Sequence, residues 1–415
     1  MERSHVRYML VGGGIASSGC AEAIRELDKS EPIMLVAQEI SRPYDRAPLS
    51  KSYLRRETAK RELVAKQVDW YAANNIDLRT GRRVTQIDAG RSAVFLDNGD
   101  EVFYDTLLLA IGTLPKPIGL DGGLLPNTFY LKTIADADRL HHAIEISRSV
   151  GHNRACVVGA GLLGVEVAAS LAMVGMQIDL IQAHATPWPK IAGELTGGFL
   201  SRRIRSTGAR IHQGVRAIRL EGDGRVQRVV LSDGTTIPAD FVVAAVGSVI
   251  NRQLLSNTQI AAESAIMVDQ RGQTNVPNIY AAGDCSAIFD PIFGKHRAST
   301  HWDHARQTGR ICGINMAGGE ARYDSVTHFT TELADLVVHV WGDGRFVHHR
   351  LMRGNALNDD GNFAEVGVSA DGRIAQVIAI GRGHEHFRYR DLVRNRFDTT
   401  GLEEQCKDPA RPIPE

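Results

Sequence analysis

The stretch Arg154–Gln182 limits what this chain can fold into more than any other. It reads RACVVGAGLLGVEVAASLAMVGMQIDLIQ. Cys156–Val158 is a short apolar run of β character. Gly159, Gly161 and Gly164 follow in G-x-G-x-x-G spacing, and an alanine-rich helical pattern runs to Val174. Gly175 stops that helix, and Gln177–Gln182 reads as a second strand. A whole strand–turn–helix–strand unit is a far more specific signal than three spaced glycines. The glycines let the backbone turn tightly and approach a pyrophosphate. The helix start at Leu162 offers free N–H groups to phosphate oxygens.

The same unit occurs once earlier. Tyr8–Val11 is apolar, Gly12-Gly13-Gly14-Ile15-Ala16-Ser17 follows, a helical run reaches Leu27, and Ile33–Val36 reads as a strand. Gly12, Gly14 and Ala16 are the candidate contacts. Ser17 stands where a third glycine is usual, and a small residue there still permits close helix–strand packing. After the second strand come Gln38 and Glu39, where an acidic group can bond an adenosine ribose. Glu39 is the better candidate chemically; Gln38 is a neutral substitute, and an ordinary exposed loop carboxylate is the bland alternative. Two units predict two dinucleotides and an α/β fold with two Rossmann-like domains.

Composition excludes several function classes. The 415 residues exceed one compact core and suit two or three domains. With 48 basic and 48 acidic residues, no net field draws the chain to nucleic acid or to a membrane. No apolar run approaches ~18 residues, so no membrane span is expected. The five cysteines, Cys20, Cys156, Cys285, Cys312 and Cys406, include no C-x-x-C pair, which argues against a zinc site, a disulphide framework and a redox dithiol. Reduced thiols, and an opening segment that reads as a strand rather than a signal, give the expectation of a cytoplasmic protein. His301 and His304 are spaced as a metal pair, but no third ligand of suitable spacing accompanies them, and no metal is expected.

Ser41–Leu54, SRPYDRAPLSKSYL, is a proline-stiffened loop in which Arg42 and Arg46 can neutralise pyrophosphate and Lys51 follows as a further cation. Pro43-Tyr44-Asp45-Arg46-Ala47-Pro48-Leu49-Ser50-Lys51 closely resembles the P-Y-x-R-P-P-L-S-K signature of FAD-dependent NAD(P)H:ferredoxin reductases. These include putidaredoxin, rubredoxin and aromatic-dioxygenase reductases, and apoptosis-inducing factor is a relative. The resemblance implies that Arg46 contacts FAD and that Lys51 lies beside the flavin ring. Ala110-Ile111-Gly112-Thr113-Leu114-Pro115-Lys116 resembles the family's A-T-G-x-x-P-R motif and adds Ala110 and Gly112. Asp240–Gly247 resembles D-x-V-x-x-x-x-G and adds Gly247. Thr274–Asp284 resembles the second FAD motif, T-x-x-P-x-I-Y-A-x-G-D. There Gly283 permits close approach and Asp284 can accept a ribityl hydroxyl. His301 and Trp302 match a helix start that faces the flavin in the subgroup nearest apoptosis-inducing factor, although Thr300 replaces its glutamate.

Glu166, two residues beyond Gly164, matches a family glutamate near the nicotinamide; a carboxylate favoured by the helix dipole is the plain alternative. Lys51 and Glu166 are therefore the candidate catalytic pair. Gln182 stands where NADH-using relatives usually carry glutamate. It can bond a ribose without repelling a 2′-phosphate, while His184 and Lys190 can attract one, so the donor is NAD(P)H with NADH slightly favoured. Phe329-Thr330-Thr331-Glu332 falls where relatives read F-W-S-D, and Thr330 lacks their aromatic.

The resemblance implies an FAD-binding domain at 1–117 and 249–325, an NAD(P)H-binding domain at 118–248 and an α+β C-terminal interface domain at 326–415. It implies an oxidoreductase, monomeric or homodimeric, that passes electrons singly to a ferredoxin or rubredoxin feeding an oxygenase or cytochrome P450. A small-molecule flavin reductase like monodehydroascorbate reductase, and a signalling protein like apoptosis-inducing factor, are the alternatives. Local patterns further suggest a helix over Glu62–Ala73, separate strands at Glu101–Tyr104 and Leu107–Ile111, a basic surface helix within Arg382–Arg396, and a loose tail after Asp398.

Overall fold

The computed structural model describes residues 3–358 and 360–413. They form two units. The first holds the chain up to Asp45, Lys60–Leu114 and Ser248–Thr327; the second holds Arg46–Ala59, Pro115–Gly247 and the chain from His328 onward.

The first unit is built on a seven-stranded sheet. Its strands run in the order Ile76–Thr80, Ile33–Ala37, Arg3–Val11, Glu101–Leu109, Ala93–Leu96 and Val84–Asp88, with Ile279–Ala281 also pairing Glu101–Leu109. The central strands are parallel. Tyr8, Met9 and Leu10 are all buried, as a parallel strand covered on both faces requires. Glu101–Leu109 is one strand, not two, because Arg3–Val11 pairs along its whole length from Glu101 to Leu109. The helix expected over Glu62–Ala73 shrinks to Val68–Ala73. The backbone at 63–65 bonds instead to 43–45, Asp45 N to Leu63 O at 2.8 Å and Ala65 N to Pro43 O at 2.9 Å. Those long-range bonds use groups that a helix would need.

Helices Ile15–Leu27 and Trp302–Met316 cross closely because glycines face the crossing. A Cβ on Gly309 would lie 2.1 Å from Ala16 O, and one on Gly313 2.3 Å from Cys20 O. This contact anchors the returning segment to the first βαβ unit.

The second unit carries a parallel sheet in the order Arg210–Gln213, Gln177–Gln182, Arg154–Val158, Phe241–Ala244 and Thr128–Phe129. Helix Ile134–Ser149 is started by a capping box of Thr133 and Asp136. The C-terminal part is an antiparallel sheet in the order His328–Leu333, Leu336–Gly342, Ile374–Ile380, Phe363–Val368 and His349–Arg353, with helix His386–Arg394.

The tail is tied down rather than loose. Glu403–Lys407 is a short helix, and Cys406 and Ile413 are buried; positions 414–415 lie outside the described residues. Arg353, fully buried, donates to Glu385 at 3.0 Å and to the Arg411 carbonyl at 2.6 Å. Arg382 also turns inward to Glu385, so the basic segment does not present all its arginines to solvent. No helix among the described residues is long and apolar enough to cross a membrane.

Candidate functional site

In the first unit the chain leaves strand Arg3–Val11 through Gly12, whose φ is +120°. A Cβ there would sit 2.1 Å from Ala110 O, so only glycine fits between the two strand ends. Gly14 caps helix Ile15–Leu27 with no side-chain hydrogen bond, and a Cβ on it meets no atom within 4 Å. An open-sided glycine at a bare helix start lets an anion reach the free N–H groups. Ala16 is buried behind the turn and packs near Gly283, where a Cβ would lie 3.2 Å from its own.

Around this turn stand the other candidates of the same unit. Glu39 follows strand Ile33–Ala37 and accepts a 2.7 Å bond from the Tyr44 hydroxyl, while Gln38 is exposed. Ala110 is buried, and Gly112 adopts φ +61°. Asp284 is half-buried on the turn after strand Ile279–Ala281; Gly283 N donates to Thr308 Oγ1 at 3.0 Å. His301 caps helix Trp302–Met316, and Trp302 is 40% exposed with the Arg306 guanidinium 5.8 Å from its ring. Ser17 Oγ, Arg42 Nη1 and His304 Nε2 are buried without a hydrogen-bond partner among the described residues. A bare glycine cradle with orphaned polar atoms in the same unit fits a bound dinucleotide.

The second unit repeats the cradle. Gly159 has φ +104°, and a Cβ on it would lie 2.4 Å from Ala245 O. A Cβ on Gly164 would lie 1.8 Å from Gly159 O, so the helix packs directly on the turn. Gly161 caps helix Leu162–Met173 without a side-chain bond, and its open side holds no atom within 4 Å. Gly247 has φ +107° and is equally unobstructed. Gln182 ends strand Gln177–Gln182 but is buried, with its amide donating to the Thr186 carbonyl. His184 and Lys190 are exposed.

Lys51 and Glu166 meet within this second unit. Lys51 Nζ lies 3.3 Å from Glu166 Oε1, with the side chains 14% and 11% exposed. Ser50 Oγ donates to Glu166 Oε2 at 2.5 Å, and Thr331 Oγ1 donates to Oε1. Arg46 is anchored separately, through a 2.8 Å bond from Nη1 to the Lys132 carbonyl. One carboxylate thus collects three donors: two from the proline-rich loop and one from the C-terminal sheet. Helix Leu162–Met173 holds Glu166 there, just beyond its first turn. The sequence marked Lys51 and Glu166 but not Ser50 or Thr331, since hydroxyl residues in loops and strands carry no distinctive spacing. Thr330, next to Thr331, points the other way along the strand; its Oγ1 is 3.3 Å from His339 Nδ1.

All five cysteines are buried and unpaired with one another. Burial pushes the Cys285 thiol up to about 11 and raises the other four as well. Among the described residues no group of His, Cys, Asp and Glu is arranged to hold a metal ion.

Comparison with known proteins agrees with this geometry. Residues 6–309 match the family model described as pyridine nucleotide-disulphide oxidoreductase. The chain is 30% identical to the ferredoxin–NAD(+) reductase component of the p-cumate 2,3-dioxygenase system of Pseudomonas putida, over 85% of each chain. It is 28% identical to the corresponding component of the biphenyl dioxygenase system of Paraburkholderia xenovorans, over 84% of this chain and 83% of the relative. A crystal structure of a covalent putidaredoxin reductase–putidaredoxin complex superposes with a TM-score of 0.88 at 26% identity, covering 97% of this chain and 95% of the other. Two glycine cradles in their βαβ settings and a family match that spans both of them lead to one conclusion: the chain belongs to the pyridine nucleotide-disulphide oxidoreductase family.

Proposed function

We propose that this protein is an NAD(P)H-dependent flavoprotein reductase that passes electrons singly from FAD to a ferredoxin or rubredoxin, which in turn feeds an oxygenase or cytochrome P450. The state of the cysteines carries this reading. A disulphide relay needs a thiolate within reach of solvent or flavin, and here every thiol is buried and held protonated. Electrons then leave without a sulphur intermediate. The relatives named as ferredoxin–NAD(+) reductase components support a protein acceptor.

When bound, FAD supplies the conversion between two-electron entry and one-electron exit. In this reading Gly12, Gly14 and Ala16 receive its pyrophosphate, and Glu39, Ala110, Gly112, Gly283, Asp284, His301 and Trp302 hold the rest. Gly159, Gly161, Leu162, Gly164 and Gly247 receive NAD(P)H, with Gln182 at the sugar-reading end and NADH slightly favoured. Lys51 is held by Glu166, which in turn is held by the hydroxyls of Ser50 and Thr331. A cation fixed in this way stabilises negative charge that develops near it. The FAD, NAD(P)H and interface domains are assigned to 1–117 with 249–325, to 118–248 and to 326–415.

The test is a coupled assay with the purified yellow protein. NADH should reduce it anaerobically, and cytochrome c reduction should rise several-fold when putidaredoxin or rubredoxin is added. Turnover indifferent to both carriers and to a plant-type ferredoxin would remove the protein acceptor from the reading.

A further inference from the structure

His304 is buried on helix Trp302–Met316, and nothing in the family resemblance assigns it a part. A chain of polar groups reaches it from a residue that only donates. The Arg297 guanidinium has no acceptor of its own. It is buried, bonds Asp290 through Nε at 2.7 Å, and donates through Nη2 to Thr327 Oγ1. Thr327 Oγ1 lies 3.3 Å from the Tyr323 hydroxyl, which lies 3.4 Å from His304 Nδ1. Arg297 takes one lone pair of Thr327 Oγ1 and leaves the threonine proton able to turn to Tyr323; the tyrosine proton is then able to turn to Nδ1. Burial, reinforced by the charges of Arg297 and His301, pulls His304 down to about 3, so the ring is neutral at ordinary pH. A neutral imidazole that accepts at Nδ1 carries its proton on Nε2.

Nε2, the donor in that tautomer, is buried and has no hydrogen-bond partner among the described residues. A buried donor left unpaired is costly, and native structures rarely retain one without a purpose. The ring lies close enough to Asp284 and His301 to feel their charges. Both are already candidate FAD contacts.

We propose that His304 is a cofactor-positioning residue whose Nε2–H donates a hydrogen bond to bound FAD. This rests on the flavoprotein reading above. In this proposal the polar chain from Arg297 through Thr327 and Tyr323 favours the donor tautomer before the cofactor arrives. No reorganisation is then needed on binding.

The test is equilibrium FAD binding to the full-length, flavin-free chain, followed by flavin fluorescence, with thermal melting of the same samples. His304→Leu should weaken FAD binding about tenfold or more. It should leave the flavin-free melting temperature unchanged or higher, because it removes an orphaned donor. His304→Asn keeps an N–H donor and should recover part of the loss. Tyr323→Phe frees the tautomer and should weaken FAD binding by about threefold; this variant decides the matter alone if His304→Leu does not fold. Wild-type affinity in both His304→Leu and Tyr323→Phe would overturn the proposal, the partner then being a water. A matching fall in flavin-free melting temperature would also overturn it, as packing alone. A wild-type chain that binds no FAD would overturn the flavoprotein reading itself.

Discussion

Replacing Lys51 by methionine separates the electrostatic role of the Lys51–Glu166 pair from a packing role. At 3.3 Å, two unit charges attract by about 5 kcal/mol at an effective dielectric of about 20. Desolvation offsets much of that, and a charge-assisted bond retains about 1.5–3 kcal/mol. Lys51→Met leaves Glu166 with two hydroxyl donors, from Ser50 and Thr331, so the carboxylate stays satisfied and the fold should lose little. The loss should appear in rate. If the cation stabilises charge developing in hydride transfer, about 3 kcal/mol corresponds to roughly 10²-fold. Glu166→Gln should cost less, about tenfold, because the lysine charge remains and only its anchor weakens. Thr331→Val removes one of the three donors and should fall below Glu166→Gln in effect. The assay is anaerobic stopped-flow flavin reduction at saturating NADH, which excludes binding differences. Unchanged rates in Lys51→Met and Glu166→Gln would refute the reasoning and leave the pair as structural neighbours.

The two cradles predict opposite outcomes for neighbouring glycines. Gly164→Ala places a Cβ 1.8 Å from Gly159 O and should lower the melting temperature sharply, whereas Gly161→Ala meets open space and should fold normally but bind NADH weakly. A thiol reagent should find no reactive cysteine in the native protein and all five after denaturation, with turnover insensitive to alkylation. Stability should fall in acid. Burial raises the Glu385 carboxyl, but bonds from Arg382, Arg353 and Tyr389 outweigh that and hold it well below the usual carboxylate range. A depressed carboxylate contributes stability above its unfolded pKa of about 4.3 and loses it as pH falls further. His339 is pulled down to about 4 by burial and its neighbours His386 and His328, so its contribution also disappears as pH drops from about 6.5 toward 4. Denaturant midpoints across this range should decline for wild type. Glu385→Gln should flatten the lower part of the decline.

Several features were legible from residue spacing because they are local backbone demands. Gly12 and Gly159 need positive φ and no Cβ, and that requirement survives in any context that keeps the strand and helix. The pair Lys51 and Glu166 was legible through motif resemblance, and they do meet. What spacing could not show was the partner of each polar group. Val64 and Leu63 left their helical pattern because 43–45 claimed the backbone. The tail was held because Arg353, buried in a sheet, needed carbonyls as well as Glu385 to neutralise it. Ser50 and Thr331 converged on Glu166 through contacts between segments far apart in the chain. Residue order dictates where the backbone turns, since that depends on neighbours in sequence. Only the tertiary structure decides which donor faces which acceptor, since that depends on neighbours in space.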